Sequence, residues 1–301
     1  MSKKDWRGIF AIPMTPFDAA DRIDEDVLAA EIDFCIASQV GGIISPVMVS
    51  EFWYLSEEER RTMMRVPVEV CRGTGVPVVG NVTALSTPQA VAFAEYAQQI
   101  GVDAVSAMPP YLHKPDFDTI FRYFQAISDA VEVPVFIQNA GMAALSPDEI
   151  VRLCSEIEHV SWVKEEVPPG TKSIARLAAK QSPAIEGIFG GGGGRMMITE
   201  RDRGAVGNMP ACEFCDVLQR VWDLLDAGET AAAEDLFDAI LPGIVLEGHM
   251  GMAFAKEIMV RRGVFTNTRM RNASKPLDEA DLREIDRVYA RIEPYFIWHK
   301  S

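Results

Sequence analysis

Short apolar runs alternate with longer amphipathic stretches along the whole 301-residue chain. The runs are Gly8 to Pro13, Gly41 to Pro46, Val76 to Val82, Asp103 to Met108, Val133 to Gln138, Val160 to Lys164, Ala184 to Phe189 and Gly204 to Gly207. Most are continuously apolar, the pattern of parallel strands covered on both faces. Helix starts lie between them. Asp24 precedes Val27, Leu28 and Ile32, Ser56 opens a Ser-Glu-Glu-Glu capping box, and Ser86-Thr87-Pro88 and Ser146-Pro147-Asp148-Glu149 each put proline in a first turn. Strand and helix recur at roughly thirty residues, the length of a βα unit. Eight such units predict the α/β class and a (β/α)8 TIM barrel. Beyond them only helical signals remain, at Thr230 to Leu241, Met252 to Arg262 and Asp278 to Ile292, with Gly243 and Gly263 as stops. The expected division is a barrel over 1–210, then a last barrel helix and C-terminal helical appendage over 211–301, forming one structural unit. A doubly wound open sheet is the alternative, weakened because no Gly-x-Gly-x-x-Gly follows the first strand.

Composition narrows the function classes. A hydrophobic fraction of 48% with 24% charged residues is enough for a sizeable core. The net charge of −15 opposes binding to nucleic acid or to an anionic membrane surface. Met1 to Asp5 is too short and polar for a signal peptide, and no apolar run approaches the ~20 residues of a membrane span. Five cysteines, Cys35, Cys71, Cys154, Cys212 and Cys215, form an odd set in mostly apolar or helical contexts, as expected of reduced thiols in a cytoplasmic protein. Cys212 and Cys215 make a Cys-x-x-Cys, but no second cysteine or histidine pair accompanies it, which favours helix packing over a redox or zinc site.

In such a barrel the chemistry sits at the C-terminal ends of the strands. Those ends present one lysine and no histidine pair. His113, His159, His249 and His299 are scattered, so neither a metal nor a cofactor is expected. No Gly-x-Ser-x-Gly elbow supports a serine triad. Lys164 closes the run Val160-Ser161-Trp162-Val163 and is followed by Glu165, Glu166 and the breakers Pro168-Pro169-Gly170. Partial desolvation there disfavours the ammonium and makes Lys164 a candidate amine nucleophile for a carbonyl substrate. An ion pair with the two glutamates is the structural alternative. The run Gly190 to Gly194 reads equally as an anion-binding loop of backbone N–H groups and as a flexible connection.

Several segments, taken in order, resemble the lysine-dependent dihydrodipicolinate synthase and N-acetylneuraminate lyase family. They are Gly8 through Thr15-Pro16-Phe17 with Ile23-Asp24, Ser50-Glu51 with Leu55-Ser56 and Glu59-Arg60, Pro109-Pro110-Tyr111, Val163-Lys164-Glu165, Gly204-Ala205-Val206-Gly207-Asn208, and Ala255-Lys256 before Gly263. The resemblance implies a barrel with C-terminal helices, a homotetramer built from dimers, and a sixth-strand lysine, here Lys164, that forms a Schiff base with a 2-keto acid. The chain departs from the family where Gly-Thr-Thr-Gly-Glu becomes Val47-Met48-Val49-Ser50-Glu51, where the fifth-strand tyrosine becomes Gln138, and where the second tyrosine of Pro-Tyr-Tyr becomes Leu112. The family's threonine–tyrosine–tyrosine proton relay is therefore absent. A glutamine amide does not exchange a proton as a phenol does, which argues against lysine biosynthesis and sialic-acid cleavage. Ser50 before the glutamate, Gln138, and the run Phe136-Ile137-Gln138-Asn139-Ala140 resemble the 2-keto-3-deoxy-L-arabonate dehydratase branch.

The expected activity is dehydration of a small 2-keto-3-deoxy sugar acid through an imine at Lys164. Retro-aldol cleavage of a 4-hydroxy-2-keto acid to pyruvate and an aldehyde ranks below it, and a barrel that binds keto acids or sugars without turnover is a further alternative. Lys164, Gln138 and Ser50 are the catalytic candidates. Val49, Tyr111, His113, Gly190 and Gly207 are the substrate-binding candidates. Ser50, a bound water, Glu165, Glu166, Tyr111 and His113 all remain open as the proton carrier. Met48, Val49, Phe52, Trp53, Tyr54 and Leu112 suggest either an apolar rim or, for the aromatics at 52 to 54, a subunit contact.

Overall fold

The computed structural model describes residues 4–113, 115–271 and 276–300. Eight strands join in sequence order as a closed parallel barrel. They are β1 (Gly8–Ala11), β2 (Gly42–Ser45), β3 (Val78–Asn81), β4 (Ala104–Ala107), β5 (Val135–Asn139), β6 (Val160–Glu165), β7 (Gly187–Gly190) and β8 (Gly207–Asn208). The helices are α1 (Glu25–Ala37), α2 (Glu57–Cys71), α3 (Thr87–Ile100), α4 (Phe117–Asp129), α5 (Pro147–Glu156), α6 (Gly170–Ala178), α7 (Met197–Arg201), α8 (Cys215–Asp226), α9 (Thr230–Met250), α10 (Met252–Arg261) and α11 (Glu279–Ile292). The start signals act as their chemistry requires. Asp24 accepts from the Val27 N–H, and Ser56 with Glu59 and Ser146 with Glu149 form reciprocal capping boxes.

The chain divides differently from the expected boundary at 210. One compact unit comprises Met1–Arg7, Pro77–Gly192 and Met196–Met209, and the other comprises Gly8–Val76, Gly193–Arg195 and Pro210–Ser301. The C-terminal helices thus group with the first two βα units.

The first unit holds β3 to β8. Its registers pair Phe136 with Trp162, Gln138 with Lys164, and Lys164 with Phe189. Strand side chains alternate between faces, so Trp162 and Lys164 share one face, as do Phe136 and Gln138. An aromatic layer fills that face one step before the lysine. Phe136 and Trp162 stack with centroids 5.4 Å apart, Phe189 lies 5.9 Å from each, and Trp6 lies 5.2 Å from Trp162. Gly187, opposite Trp162, leaves room for the indole, with which a Cβ would collide.

In the second unit two buried ion pairs fix the C-terminal helices. Lys256 Nζ lies 2.8 Å from Glu51 Oε1 and also donates to the carbonyls of Thr15 and Arg269. Arg262 forks onto Asp216 at 2.8 and 2.6 Å. The expected stop at Gly243 is not one. Helix α9 runs through it, because a Cβ there would sit 2.9 Å from both Ile292 and Phe214, so the glycine permits close packing instead of ending the helix. Gly263, with φ +74°, does end α10. All five cysteines are buried free thiols. Cys212 donates to Glu31 at 3.0 Å, in keeping with a packing role for the Cys-x-x-Cys.

Candidate active site

Among the described residues Lys164 is the one lysine at the C-terminal ends of the strands, and only 2% of it is exposed. Its ammonium lies 3.0 Å from Glu166 Oε2, and the same oxygen accepts from Gln138 Nε2 at 3.2 Å. The backbone sets this grouping. Register places Gln138 beside Lys164, and the Glu166 N–H donates to the Asn139 carbonyl at 2.8 Å, which carries the pairing one residue past β6. Extending the alternation by that residue puts Glu166 on the lysine's face and Glu165 on the other.

Glu165 is committed on that other face. Its Oε2 accepts from Asn139 Nδ2 at 2.7 Å and its Oε1 from the Val167 N–H at 2.9 Å, while Asn139 is held in turn by both backbone groups of Leu145. Burial pushes the Glu165 carboxyl above its usual range, against the lowering effect of these two bonds. Of the two glutamates left open by sequence, Glu166 meets the amine and Glu165 braces the loop.

Gly190 and Gly191 admit carboxyl groups at close range. A Cβ on Gly190 would stand 2.8 Å from Glu200 Cδ, and one on Gly191 would stand 2.7 Å from Glu166 Cδ. Asn208 donates to Glu200 at 2.7 Å and to the Gly191 carbonyl at 3.3 Å. Burial raises Glu200 to about 7, opposed by the Asn208 bond and aided by the charge of Glu166. Sequence had weighed this glycine run as an anion loop or a flexible connection. In the structure its first two residues face the protein's own carboxyl groups.

The other candidates fall in different surroundings. Gly207 pairs with Phe189 in β8. Tyr111 is half-buried and His113 exposed on the loop after β4, and Leu112 between them is 67% exposed. Ser50 and Val49 belong to the second unit. Ser50 is fully buried, its hydroxyl donating to the Pro13 carbonyl at 2.6 Å and accepting from the Val47 N–H at 3.1 Å, and Val49 is half-buried in the same turn. Phe52 is buried under Arg60, whereas Trp53 and Tyr54 are 41% and 47% exposed.

Asn139, Glu200 and Asn208 were not candidates from sequence. The first and last adjoin residues that were, Gln138 and Gly207, but Glu200 sits in Met196-Met197-Ile198-Thr199-Glu200-Arg201, which reads as an ordinary helical turn. Among the described residues, no three His, Cys, Asp or Glu side chains are grouped to hold a metal ion, and no helix is long and apolar enough to cross a membrane.

Comparison with known proteins gives a consistent relationship. The L-2-keto-3-deoxyarabonate dehydratase of Azospirillum brasilense is 29% identical over 295 residues, 96% of this chain and 95% of that protein. A 4-hydroxy-tetrahydrodipicolinate synthase of Mesorhizobium japonicum is 25% identical over 93% of this chain and 96% of its own. The crystal structure of dihydrodipicolinate synthase from Rhodopseudomonas palustris superposes with a TM-score of 0.87 at 25% identity, covering 95% of this chain and 98% of that one. The model of the dihydrodipicolinate synthetase family matches residues 5–291. Barrel, C-terminal helices and a match over nearly the full length lead to one conclusion: the chain belongs to the dihydrodipicolinate synthetase family.

Proposed function

We propose that the protein is a lyase that forms an imine between Lys164 and a 2-keto acid, and that it dehydrates a 2-keto-3-deoxy sugar acid. The observation that carries this is the buried Lys164–Glu166 contact at 3.0 Å, with Gln138 on the same carboxylate oxygen. A carboxylate in hydrogen-bond reach of the nucleophile can take its proton and return it later.

The steps balance with that one carboxyl group. Glu166 takes a proton from the Lys164 ammonium and the free amine attacks C2; the carbonyl oxygen takes that proton back and a second from the attacking nitrogen, and leaves as water to give the protonated imine. The protonated imine withdraws electrons from the C3–H bond. Glu166 takes the C3 proton while that electron pair becomes the C2=C3 bond of an enamine. The pair then shifts to form C3=C4, the C4–O bond breaks, and Glu166 returns the proton to the departing hydroxyl as water. Addition of water across the imine frees the product and restores Lys164.

Dehydration is favoured over aldol cleavage on two grounds. Cleavage uses the family's fifth-strand tyrosine to take the C4 hydroxyl proton, and at that position this chain has Gln138, whose amide does not exchange a proton and instead donates to Glu166. The relative from Azospirillum brasilense, aligned over 96% of the chain, is itself a dehydratase. Incubation with a 2-keto-3-deoxypentonate tests the choice. The 3,4-unsaturated 2-keto acid, or the semialdehyde it becomes when a C5 proton leaves, C3 gains one and the C4=C5 enol ketonises, supports the proposal, and release of pyruvate sinks it in favour of cleavage.

A further inference from the structure

The aromatic layer below Lys164 includes one ring that comes from outside the strands. Trp6 lies two residues before β1, at the starting ends of the parallel strands. Its indole stacks on Phe136, with centroids 5.8 Å apart and planes 21° from parallel, and sits 5.2 Å from Trp162. These rings face the inside of the barrel. Gly190 has Glu200 of α7 against it, so its neighbour Phe189 points the other way, and register turns Lys164, Trp162 and Phe136 to the same side as Phe189. Phe136 and Trp162 are at most 1% exposed, and each stands two residues before a site residue on its own strand, Gln138 and Lys164. The order upward is Trp6, then the two buried rings, then the amide and the amine. Trp6 itself is half-buried, with Lys4 Nζ 5.8 Å from its ring, and so forms the boundary between this apolar layer and solvent.

We propose that Trp6 is a positioning residue for the Lys164 imine: by stacking on Phe136 and Trp162 it seals the β5–β6 side of the barrel floor, so that on this side water reaches the C2=N bond only from the mouth. The consequence is kinetic. Imine formation joins the Lys164 nitrogen to C2 and releases the carbonyl oxygen as one water, and hydrolysis adds one water back. An open floor gives that water a second path, from below, and shortens the life of the imine. A sealed floor keeps the C2=N bond until it has served as the electron sink, which is the use of excluding water from a reactive intermediate. The imine readout rests on the chemistry proposed for Lys164, but the dryness of the floor can be read without it.

Trp6→Ala opens the floor, and Trp6→Phe keeps a ring there. Among the described residues Trp162 Nε1 is buried with no hydrogen-bond partner, so exchange of its proton in deuterated water reports whether water arrives. NMR of protein with isotope-labelled indoles, assigned with Trp162→Phe, follows that exchange. It should be several-fold faster in Trp6→Ala and close to wild type in Trp6→Phe, while the buried indole of Trp222 in α8 stays unchanged in both. The pyruvate imine, formed at saturation and then diluted, should lose its borohydride-trappable adduct several-fold faster in Trp6→Ala than in wild type or Trp6→Phe. Unchanged Trp162 exchange or an unchanged imine lifetime in Trp6→Ala overturns the proposal, as does a Trp6→Phe variant no better than Trp6→Ala. Equal acceleration at Trp222 marks a general loosening and overturns it too. If Trp6→Ala does not fold, Trp6→Leu, apolar but without a ring, takes the same two tests. Failure of the wild type to trap pyruvate counts against the imine chemistry alone, and the exchange result then decides whether the floor is sealed.

Discussion

One oxygen, Glu166 Oε2, receives both the Lys164 ammonium and the Gln138 amide, and the two glutamates after the lysine therefore predict different phenotypes. Glu166→Gln keeps the shape but removes the proton carrier, so kcat should fall by about 10² to 10⁴-fold, the usual contribution of general acid–base catalysis. The trapped pyruvate adduct should form more slowly as well, because the same carboxylate takes the Lys164 proton before attack. Glu165→Gln should do the reverse, because its carboxylate braces Asn139 and Val167 on the face away from the Lys164 amine. Turnover should stay close to wild type while thermal melting drops. Equal losses of kcat in the two variants would contradict the assignment. Lys164 was singled out in the sequence because it ends an apolar strand and falls, by the family resemblance, on the position of the imine-forming lysine. The choice between Glu165 and Glu166 was also present, in the two-residue alternation carried one step past β6. Glu200 was not legible, since its burial depends on glycines in another element.

Among the elements, the five-glycine run from the last residue of β7, Gly190, to Gly194 carries the most position-specific demand. Gly191→Ala would place a methyl group against the Glu166 carboxylate, so it should lower kcat sharply while circular dichroism and melting change little. A variant that melts far below wild type would mean the glycine serves the fold and not the carboxyl. Gly187→Ala should have the opposite outcome. It presses on Trp162 inside the aromatic layer, and overpacking of this kind costs about 1–3 kcal/mol, measurable by denaturant titration. Strand and helix order could be read from hydrophobic period and caps because those signals are local. Gly243 was misread as a stop for the same reason. The residues that make it a packing point, Phe214 and Ile292, lie far away in sequence.

Across the molecule, buried acids set how stability responds to pH. Burial lifts Glu31 to about 8 and Glu200 to about 7, and lifts Glu213 well above the ordinary 4.5. Each keeps its proton in the folded chain over a range where the unfolded chain has lost it, so stability falls as pH rises from about 4.5 toward 8. Glu59, held at about 2 by Arg271, acts in the other direction and weakens the fold as pH drops below 4.5. The melting temperature should peak near pH 4.5 to 5 and decline toward 8, with a shallower decline in Glu31→Gln. A steady rise from pH 5 to 8 would contradict this. The net charge of −15 acts in the same sense, through self-repulsion that grows as acids ionise. The barrel could be recognised from eight repeated units, but the grouping of the C-terminal helices with the first two could not, because it depends on long-range pairs such as Glu51 with Lys256. All of this structure leads to one amine, and its chemistry can be read directly. Pyruvate should be reduced onto the protein by borohydride and, after digestion, mass spectrometry should find the adduct on Lys164. No adduct, or an adduct on another lysine, would contradict the account.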